Sequence, residues 1–213
     1  MAIRLAASED FLEPGQRLVL PPAARAIYMR RGRAELLAAG RRTVLAEDCC
    51  ALAVGAAELA GEGEVWSFEL AASWDEADRG RIVLAMVLDR DPAAPVLLRA
   101  DRIDFPAGAV TPRHGHAGPG IRRLLQGRLF AELGNERRRI EPGGAWFESG
   151  EEPVVGRNLA PASAFVRGMA LEPALLGRPT FRPWTDHDAA LPRGVSPRLF
   201  LDEVVTLPRA GAA

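Results

Sequence analysis

Short apolar runs separated by turn residues extend along the whole chain. Such runs lie at 17–20, 26–29, 65–70, 82–88, 128–133 and 165–171. Glycine and proline, with 21 and 17 copies in 213 residues, interrupt the stretches that could otherwise form long helices. Short runs at this spacing are typical of an all-β sandwich or barrel. A single short helix is favoured near residues 73–79, where Ser73 and Glu76 have the spacing of a capping box.

The second half of the chain repeats the pattern of the first half after a shift of about 95 residues. The aligned pairs are Gly32 with Gly127, Leu45 with Ile140, Asp48 with Gly143, and Gly55 with Gly150. Both copies are predicted as strand, tight turn at a glycine, strand, turn, strand, second glycine. A glycine that recurs at the same place predicts a backbone position with positive φ. The repeat therefore predicts two β modules in tandem, residues 1–90 and 91–213.

Two histidines that could bind a metal ion stand in the second module. His114 and His116 are separated by one residue, and side chains two positions apart in a strand point to the same face. A pair of imidazoles side by side can offer two nitrogen ligands to one divalent ion. The spacing alone is a weak signal. Its position after a Gly/Pro loop and before a Gly-Pro-Gly turn makes it more specific.

This segment resembles the first motif of the cupin superfamily, G-x5-H-x-H-x3-4-E-x6-G. Gly108, His114, His116 and Gly127 fit the motif without adjustment. The position at which the family carries its glutamate ligand is Gly120 in this chain. The resemblance implies a cupin barrel in the second module, with one of the family's usual metal ligands replaced.

The family's second motif, P-x-G-x2-H-x3-N, resembles residues 142–158, where Val154 occupies the histidine position. Two of the four ligands that the family supplies are thus present, with Gly120 and Val154 at the other two positions. The N-terminal copy has none of them, since the corresponding residues are Val19, Pro21, Arg25 and Leu59. The resemblance implies a bicupin: two tandem cupin-like β-barrels of the jelly-roll (double-stranded β-helix) type. The first barrel would be structural.

Two interpretations of the histidine pair stay open. His114 and His116 could hold one divalent metal ion (Fe, Mn, Ni, Cu or Zn), completed by water, a substrate or another residue. Alternatively, the pair could line a former metal cavity and be held by hydrogen bonds, with no cofactor. The candidates to complete the coordination are His187, Glu132 and Glu148, each of which is more simply a loop or rim residue.

Strand alternation brings Arg122 into the predicted site. If Gly120 points into the barrel, Arg122 and Leu124 do so as well, while Ile121 and Arg123 point outward. A guanidinium near two imidazoles would suit a carboxylate or another small anion, so Arg122 is a candidate ligand-binding residue. The alternative is that Arg122 bonds a buried carboxylate or extends to the barrel mouth.

Charge and composition exclude several classes of function. The 27 basic residues, all arginine, nearly balance 28 acidic ones for a net charge of −1, which argues against nucleic acid as a partner. Without lysine, neither a Schiff base nor a phosphate-binding P-loop can form. The adjacent Cys49 and Cys50 form no disulfide framework, and the N-terminus has no signal-peptide pattern. The longest apolar run, 82–88, is too short to cross a membrane. We therefore expect a cytoplasmic protein.

Two functions from different classes follow. The favoured one is a small-ligand-binding bicupin whose C-terminal barrel carries a partial, two-histidine metal site and takes a small organic acid. The alternative is a metal-dependent cupin enzyme, a dioxygenase or an isomerase, in which the substrate completes the coordination. A purely structural or partner-binding role would instead predict an occluded second barrel. The apolar segment 198–207 resembles a closing edge strand, and such strands favour homodimers.

Overall fold

The computed structural model describes residues 1–72 and 81–208, which form an almost entirely β structure. The all-β prediction is confirmed. The predicted helix at 73–79 lies outside the described residues. The helical elements among the described residues are a short 3₁₀ turn (Pro173–Leu175) and α1 (Asp186–Ala190). No helix in the described part of the chain is long and apolar enough to span a membrane.

The N-terminal half forms one antiparallel sheet of five strands. These are β1 (Ala2–Leu12), β2 (Arg17–Ala38), β3 (Arg41–Ala46), β4 (Cys49–Ala71) and β5 (Arg81–Asp89), in the spatial order β3-β2-β4-β1-β5. The middle of β2 pairs with two separate parts of β4, so that Ala24 lies opposite both Val54 and Leu70. The two long strands therefore curl around each other, and the single sheet encloses its own core.

The tight turn predicted at the first glycine of this half is wrong. Gly32 lies within the continuous strand β2, with φ of +88°, and a Cβ there would lie 2.2 Å from the carbonyl oxygen of Glu62. Only glycine allows this backbone angle and this close approach of β4. The glycine bends one strand instead of separating two.

The C-terminal half contains ten shorter strands in two five-stranded sheets. They are β6 (Val96–Pro106), β7 (His114–His116), β8 (Gly120–Gln126), β9 (Leu129–Leu133), β10 (Glu136–Ile140), β11 (Ala145–Glu148), β12 (Val154–Asn158), β13 (Ala162–Leu171), β14 (Phe181–Pro183) and β15 (Ser196–Val205). One sheet has the order β11-β8-β13-β6-β15 and the other β10-β9-β12-β7-β14. The closing strand expected near the C-terminus is β15, which pairs with β6 of the same half.

Strand alternation explains how each barrel gets its interior. In β9, Leu129, Ala131 and Leu133 are buried while Phe130 and Glu132 are partly exposed, the period of two of a half-buried strand. The C-terminal interior also contains aromatic rings, and it keeps a cavity between them. The N-terminal interior contains a core of aliphatic side chains, mainly leucine and alanine.

The two halves share a third hydrophobic core between the N-terminal sheet and the sheet that contains β8. Phe68 of β4 packs so closely on β13 that a Cβ at Gly168 would lie 2.3 Å from the Phe68 Cβ atom. Ile121 and Val166 are fully buried in the same core. The outward face predicted for β8 is therefore covered by the other half of the chain and does not meet solvent.

Buried and partly buried polar contacts also join the halves. Arg123 places its guanidinium carbon 3.8 Å from the centroid of the Trp66 ring, and its Nη2 atom donates to Oε2 of Glu9 at 2.5 Å. Near the sheet edge, Asp48 accepts hydrogen bonds from Arg102 at 2.9 Å and Arg198 at 2.8 Å. The division at residues 90 and 91 stays a proposal, and strands on either side of it pair only within their own half among the described residues.

The backbone repeats the predicted two-copy pattern. Positive φ occurs at Gly32 and Gly127, at Asp48 and Gly143, and at Gly55 and Gly150. The amide of Asp48 donates to the carbonyl of Met29 at 2.8 Å, and the amide of Gly143 donates to that of Leu124 at 2.7 Å. The two donors, Asp48 and Gly143, and the two acceptors, Met29 and Leu124, are related by the same shift that aligns the two halves of the sequence. The prediction of positive φ at the recurring glycines is confirmed.

Candidate functional site

A cavity with a volume of about 100 Å³ lies inside the C-terminal barrel. Its polar lining consists of His114, His116, Glu148, Arg167, Thr111 and Arg193. The rest of its wall is mostly apolar and aromatic: Ile103, Phe105, Leu129, Ala131, Trp146, Val154, Gly156, Phe165, Phe181, Val195 and Pro197. The second barrel is thus open inside, with its polar groups gathered on part of the wall.

Both predicted histidines lie on this wall, on the short strand β7. Their ring centroids are 4.9 Å apart and the rings are perpendicular. His114 is fixed from two sides, because its Nδ1–H donates to the carbonyl of Pro112 at 2.8 Å and its ring stacks on Phe181 at 4.4 Å. The proton on Nδ1 leaves Nε2 of His114 as a hydrogen-bond acceptor.

Glu148 is a buried member of the site and not a rim residue. It lies on β11 directly opposite Gly120 on β8, and its carboxylate lines the cavity. Its Oε1 atom accepts a hydrogen bond from the indole nitrogen of Trp146 at 2.8 Å. Its Oε2 atom is 2.6 Å from Nη2 of Arg122 and 3.2 Å from Nε2 of His116. This carboxylate oxygen therefore interacts with both buried side chains.

Arg122 is fully buried but does not line the cavity. Its Nη1 atom donates to the carbonyl of Gly120 at 2.6 Å, and its Nη2 atom faces Glu148. The structure thus shows the second of the two alternatives for this side chain, the contact with a buried carboxylate. Its predicted role in ligand binding stays a prediction, and any such role acts through Glu148.

A second buried arginine completes the polar wall. Arg167 on β13 lies opposite Asp101 on β6 and forms a two-pronged ion pair with it, at 2.6 and 2.8 Å. Its remaining Nη1 atom lies 3.5 Å from Nδ1 of His116. Since arginine can only donate, Nδ1 of His116 is the acceptor and the proton of this ring is on Nε2, toward Glu148. Sequence reasoning missed both Arg167 and Asp101, which are 66 residues apart.

The buried charges set the protonation states of the site. Burial, with the charges of Arg122 and Arg167, lowers the pKa of His116 to about 3, against the opposing effect of Glu148. Burial also lowers the pKa of His114. Burial alone would raise the pKa of Glu148, but Arg122 and His116 hold it well below its usual range. At neutral pH both imidazoles are therefore neutral and the carboxylate is ionised.

The predicted candidates His187 and Glu132 do not line the cavity. His187 is exposed on α1, where Thr185 caps the helix by accepting from the amide of Asp188. Glu132 is paired with Arg157 on the partly exposed face of β9. Val154, at the family's histidine position, lies opposite His114 on β12 and presents an apolar side chain to the cavity.

As arranged, these donor atoms do not fit a divalent metal ion. Among the described residues, no three histidine, cysteine, aspartate or glutamate side chains are placed so that they could hold one. His116 uses its Nδ1 atom toward Arg167 and its Nε2 atom toward Glu148, whose charge is already balanced by Arg122. The metal predicted at His114 and His116 stays a prediction, and metal analysis tests it below.

Comparison with known proteins shows what the fold resembles. A scan against protein-family models finds no match for this chain, and a search of curated proteins finds none either. Solved structures do match, at low identity. They include AerE from Microcystis aeruginosa (16% identity, TM-score 0.59, 79% of this chain and 88% of that chain). An oxalate decarboxylase variant from Bacillus subtilis matches with 11% identity and TM-score 0.65, over 89% of this chain and 73% of that one.

A third structure is a cupin 2 conserved barrel domain protein from Leptotrichia buccalis (11% identity, TM-score 0.50, 80% of this chain and 88% of that chain). Each match covers most of both chains, so the likeness extends over both halves of this molecule. At such identities the likeness is one of fold, and the function has to be argued from the site itself.

Proposed function

Because the chain has the cupin fold, we propose that its C-terminal barrel binds one small organic molecule, while its N-terminal barrel has a structural role. The observation that carries this proposal is the contrast between the two interiors. One is filled with aliphatic side chains and the ion-paired Arg4, Arg25 and Glu69, and the other keeps a cavity with His114, His116, Glu148 and Arg167 on its wall. A concave, mainly apolar space with a few convergent polar groups is the usual form of a ligand site.

The charges around the cavity favour a carboxylate on the ligand. The two buried guanidiniums are neutralised, Arg122 by Glu148 and Arg167 by Asp101. Arg193 is exposed, lines the cavity, and lies over the Phe181 ring at 4.4 Å. No carboxylate of the described residues lies within ion-pair distance of Arg193. Its free positive charge at the cavity opening suits an acid group.

One inner polar atom favours a hydroxyl group elsewhere on the same ligand. Nε2 of His114 can accept a hydrogen bond, because the proton of this ring is on Nδ1, toward the carbonyl of Pro112. A volume of about 100 Å³ is well below the roughly 300–1,000 Å³ of sites for drug-sized ligands. The proposed ligand is therefore a hydroxy acid of a few carbon atoms.

Thermal unfolding with a panel of small acids tests this proposal. Glycolate and lactate serve as probes, with glycolamide and lactamide as matched neutral compounds. A ligand at 100 times its Kd stabilises the folded state by about 2.7 kcal/mol, or roughly 5–10 °C in Tm for a chain of this size. We expect such a shift with an acid and none with its amide.

Substitutions at the cavity test whether the acid binds there. Arg193→Gln should weaken acid binding by at least about tenfold, as expected for loss of a charge-assisted contact. Arg182→Gln is the matched control, because Arg182 is exposed on β14 and does not line the cavity. Ala131→Leu fills the cavity and should abolish binding. Acid shifts that survive Ala131→Leu, or no shift with either acid, would contradict the proposal.

The alternative, a metal-dependent cupin enzyme, is favoured by one observation. The Nδ1–H of His114 is held by the Pro112 carbonyl, the kind of outer contact that orients a metal-binding imidazole. If metal is bound, His114 and His116 are the residues that would hold it, and a metal ion supplies Lewis-acid or redox chemistry to a chelated substrate. Metal analysis of the purified protein, with His114→Ala as comparison, separates the two candidates.

A further inference from the structure

The space beside position 120 is filled by Met169, by the backbone of Gly168 and by the guanidinium of Arg122. A Cβ at Gly120 would lie 2.8 Å from Cγ of Met169, 2.9 Å from the Gly168 carbonyl oxygen and 3.1 Å from Nη1 of Arg122. A glutamate cannot be placed there without moving backbone and the guanidinium together. Gly120 and Arg122 are thus complementary, since the missing side chain of one makes room for the charged end of the other.

A carboxylate nevertheless reaches the same wall from the neighbouring strand. Glu148 is directly opposite Gly120, and its Oε2 atom lies 3.2 Å from Nε2 of His116. Two imidazoles and one carboxylate therefore line one cavity, a donor set that divalent metals with nitrogen and oxygen preference accept. The Nη2 atom of Arg122, 2.6 Å from Oε2 of Glu148, is the group that already occupies this carboxylate.

The surrounding charges oppose any additional cation. Arg122 is fully buried and Arg167 nearly so, and each is balanced by a single carboxylate. A divalent ion beside the imidazoles would add two positive charges close to both guanidiniums, in surroundings that screen them poorly. The guanidinium of Arg122 stays protonated at neutral pH, so it cannot give way by losing its charge.

We infer that the positive charge of Arg122 takes the place of a metal ion beside this cavity. The guanidinium pairs with Glu148 and opposes the binding of divalent ions at His114, His116 and Glu148. This role does not depend on which molecule the cavity binds. It implies that, once a single substitution removes this charge, two histidines and one glutamate can rearrange around a divalent ion, since among the described residues they are not so placed at present.

Cobalt binding to Arg122→Met and Arg122→Gln tests the inference. All proteins are purified without a histidine tag, and Co(II) affinity is followed by visible absorption and by metal content in mass spectrometry. Removing one unit charge beside the site should raise the Co(II) affinity by about 100-fold or more over the unmodified protein. Adding His114→Ala to Arg122→Met should remove the gained site.

Arg123→Met is the matched control. Arg123 is the next residue of β8 and equally buried, but it pairs with Glu9 on the other face of the strand. Its loss should leave the Co(II) affinity unchanged. A folded Arg122→Met that gains no affinity overturns the inference.

Should neither Arg122 variant fold, the unmodified protein decides. A Co(II) affinity that His114→Ala leaves unchanged supports the inference, whereas near-stoichiometric metal that His114→Ala removes overturns it. Neither result requires an acid ligand to be found, so failure of the metal inference and failure of the proposed acid binding are distinguishable.

Discussion

The ring of His116 is enclosed by groups that keep it neutral. Its pKa of about 3 in the folded protein is set first by burial and then by Arg122 and Arg167, with Glu148 opposing them. The unfolded chain, with a histidine pKa of about 6.5, takes up a proton over a range in which the native state does not. The free energy of unfolding therefore falls as the pH is lowered from about 6.5 toward 3.

We expect His116 to make the unfolding free energy about 2 kcal/mol lower at pH 5 than at pH 7. Urea unfolding at the two pH values measures this difference for the unmodified protein and for His116→Gln, in which it should shrink by that amount. His187→Gln, on the exposed face of α1, is the control and should keep the full difference. An unchanged pH dependence in His116→Gln would contradict the assigned environment.

Glu148 balances a guanidinium that has no access to solvent. Glu148→Gln leaves Arg122 buried without its counter-charge, and breaking such a buried pair costs about 3 kcal/mol or more of stability. Glu132→Gln is the control, because its partner Arg157 is nearly half exposed and such pairs contribute less than about 1 kcal/mol. Chemical denaturation compares the two. Equal losses would mean that Arg122 is not held by Glu148.

At this scale the sequence could predict what depends on local spacing. His114 and His116 share a strand, so their common face follows from the period of two. Arg167 and Asp101 are 66 residues apart on two different strands, and their contact depends on a pairing register that sequence spacing does not reveal. The burial of Glu148 likewise depends on its position opposite Gly120, a pairing between two strands.

The packing of β4 on β13 depends on a glycine. A Cβ at Gly168 would overlap Phe68, so Gly168→Ala should force the two sheets apart and cost about 3 kcal/mol. Gly177→Ala is the comparison: it has open space but a positive φ of +69°, and should cost only about 1 kcal/mol. Thermal and urea unfolding measure both. Equal losses would show that the contact with Phe68 is not the constraint.

The repeat predicted the positive φ positions because turn geometry is local, and glycine is the residue that most readily adopts the left-handed region where the chain bends in that way. The continuous strand through Gly32 could not be predicted, since the same glycine can bend one strand or separate two. The covering of Ile121 and Arg123 was also missed. The alternation of side chains along a strand shows which of them point out of a barrel, but does not show what packs against that outer face.

The shared core makes the two halves interdependent. Residues 91–213 alone would expose Leu98, Ile121 and Val166, which are fully buried against the N-terminal sheet. We expect this fragment to lack a cooperative thermal transition, and co-expression with residues 1–90 to restore one. Calorimetry and circular dichroism check this. A fragment that unfolds cooperatively at the Tm of the whole chain would contradict it.

The predicted homodimer would form through edge strands of the sheets. The edge strands are β3 and β5 in the N-terminal sheet, and β11 and β15 in one C-terminal sheet. Edge strands can in general pair with a second copy of a chain. The homodimer stays a prediction, and sedimentation at several protein concentrations would measure the mass directly.

Consecutive residues of β8 face opposite compartments of the molecule. Arg122 is paired with Glu148 of the cavity wall, and Arg123 lies between Trp66 and Glu9. A shift of this strand toward one anchor loosens the other. We therefore expect ligand binding in the cavity and the stability of the contact between the halves to be thermodynamically linked, so that a change in one alters the other.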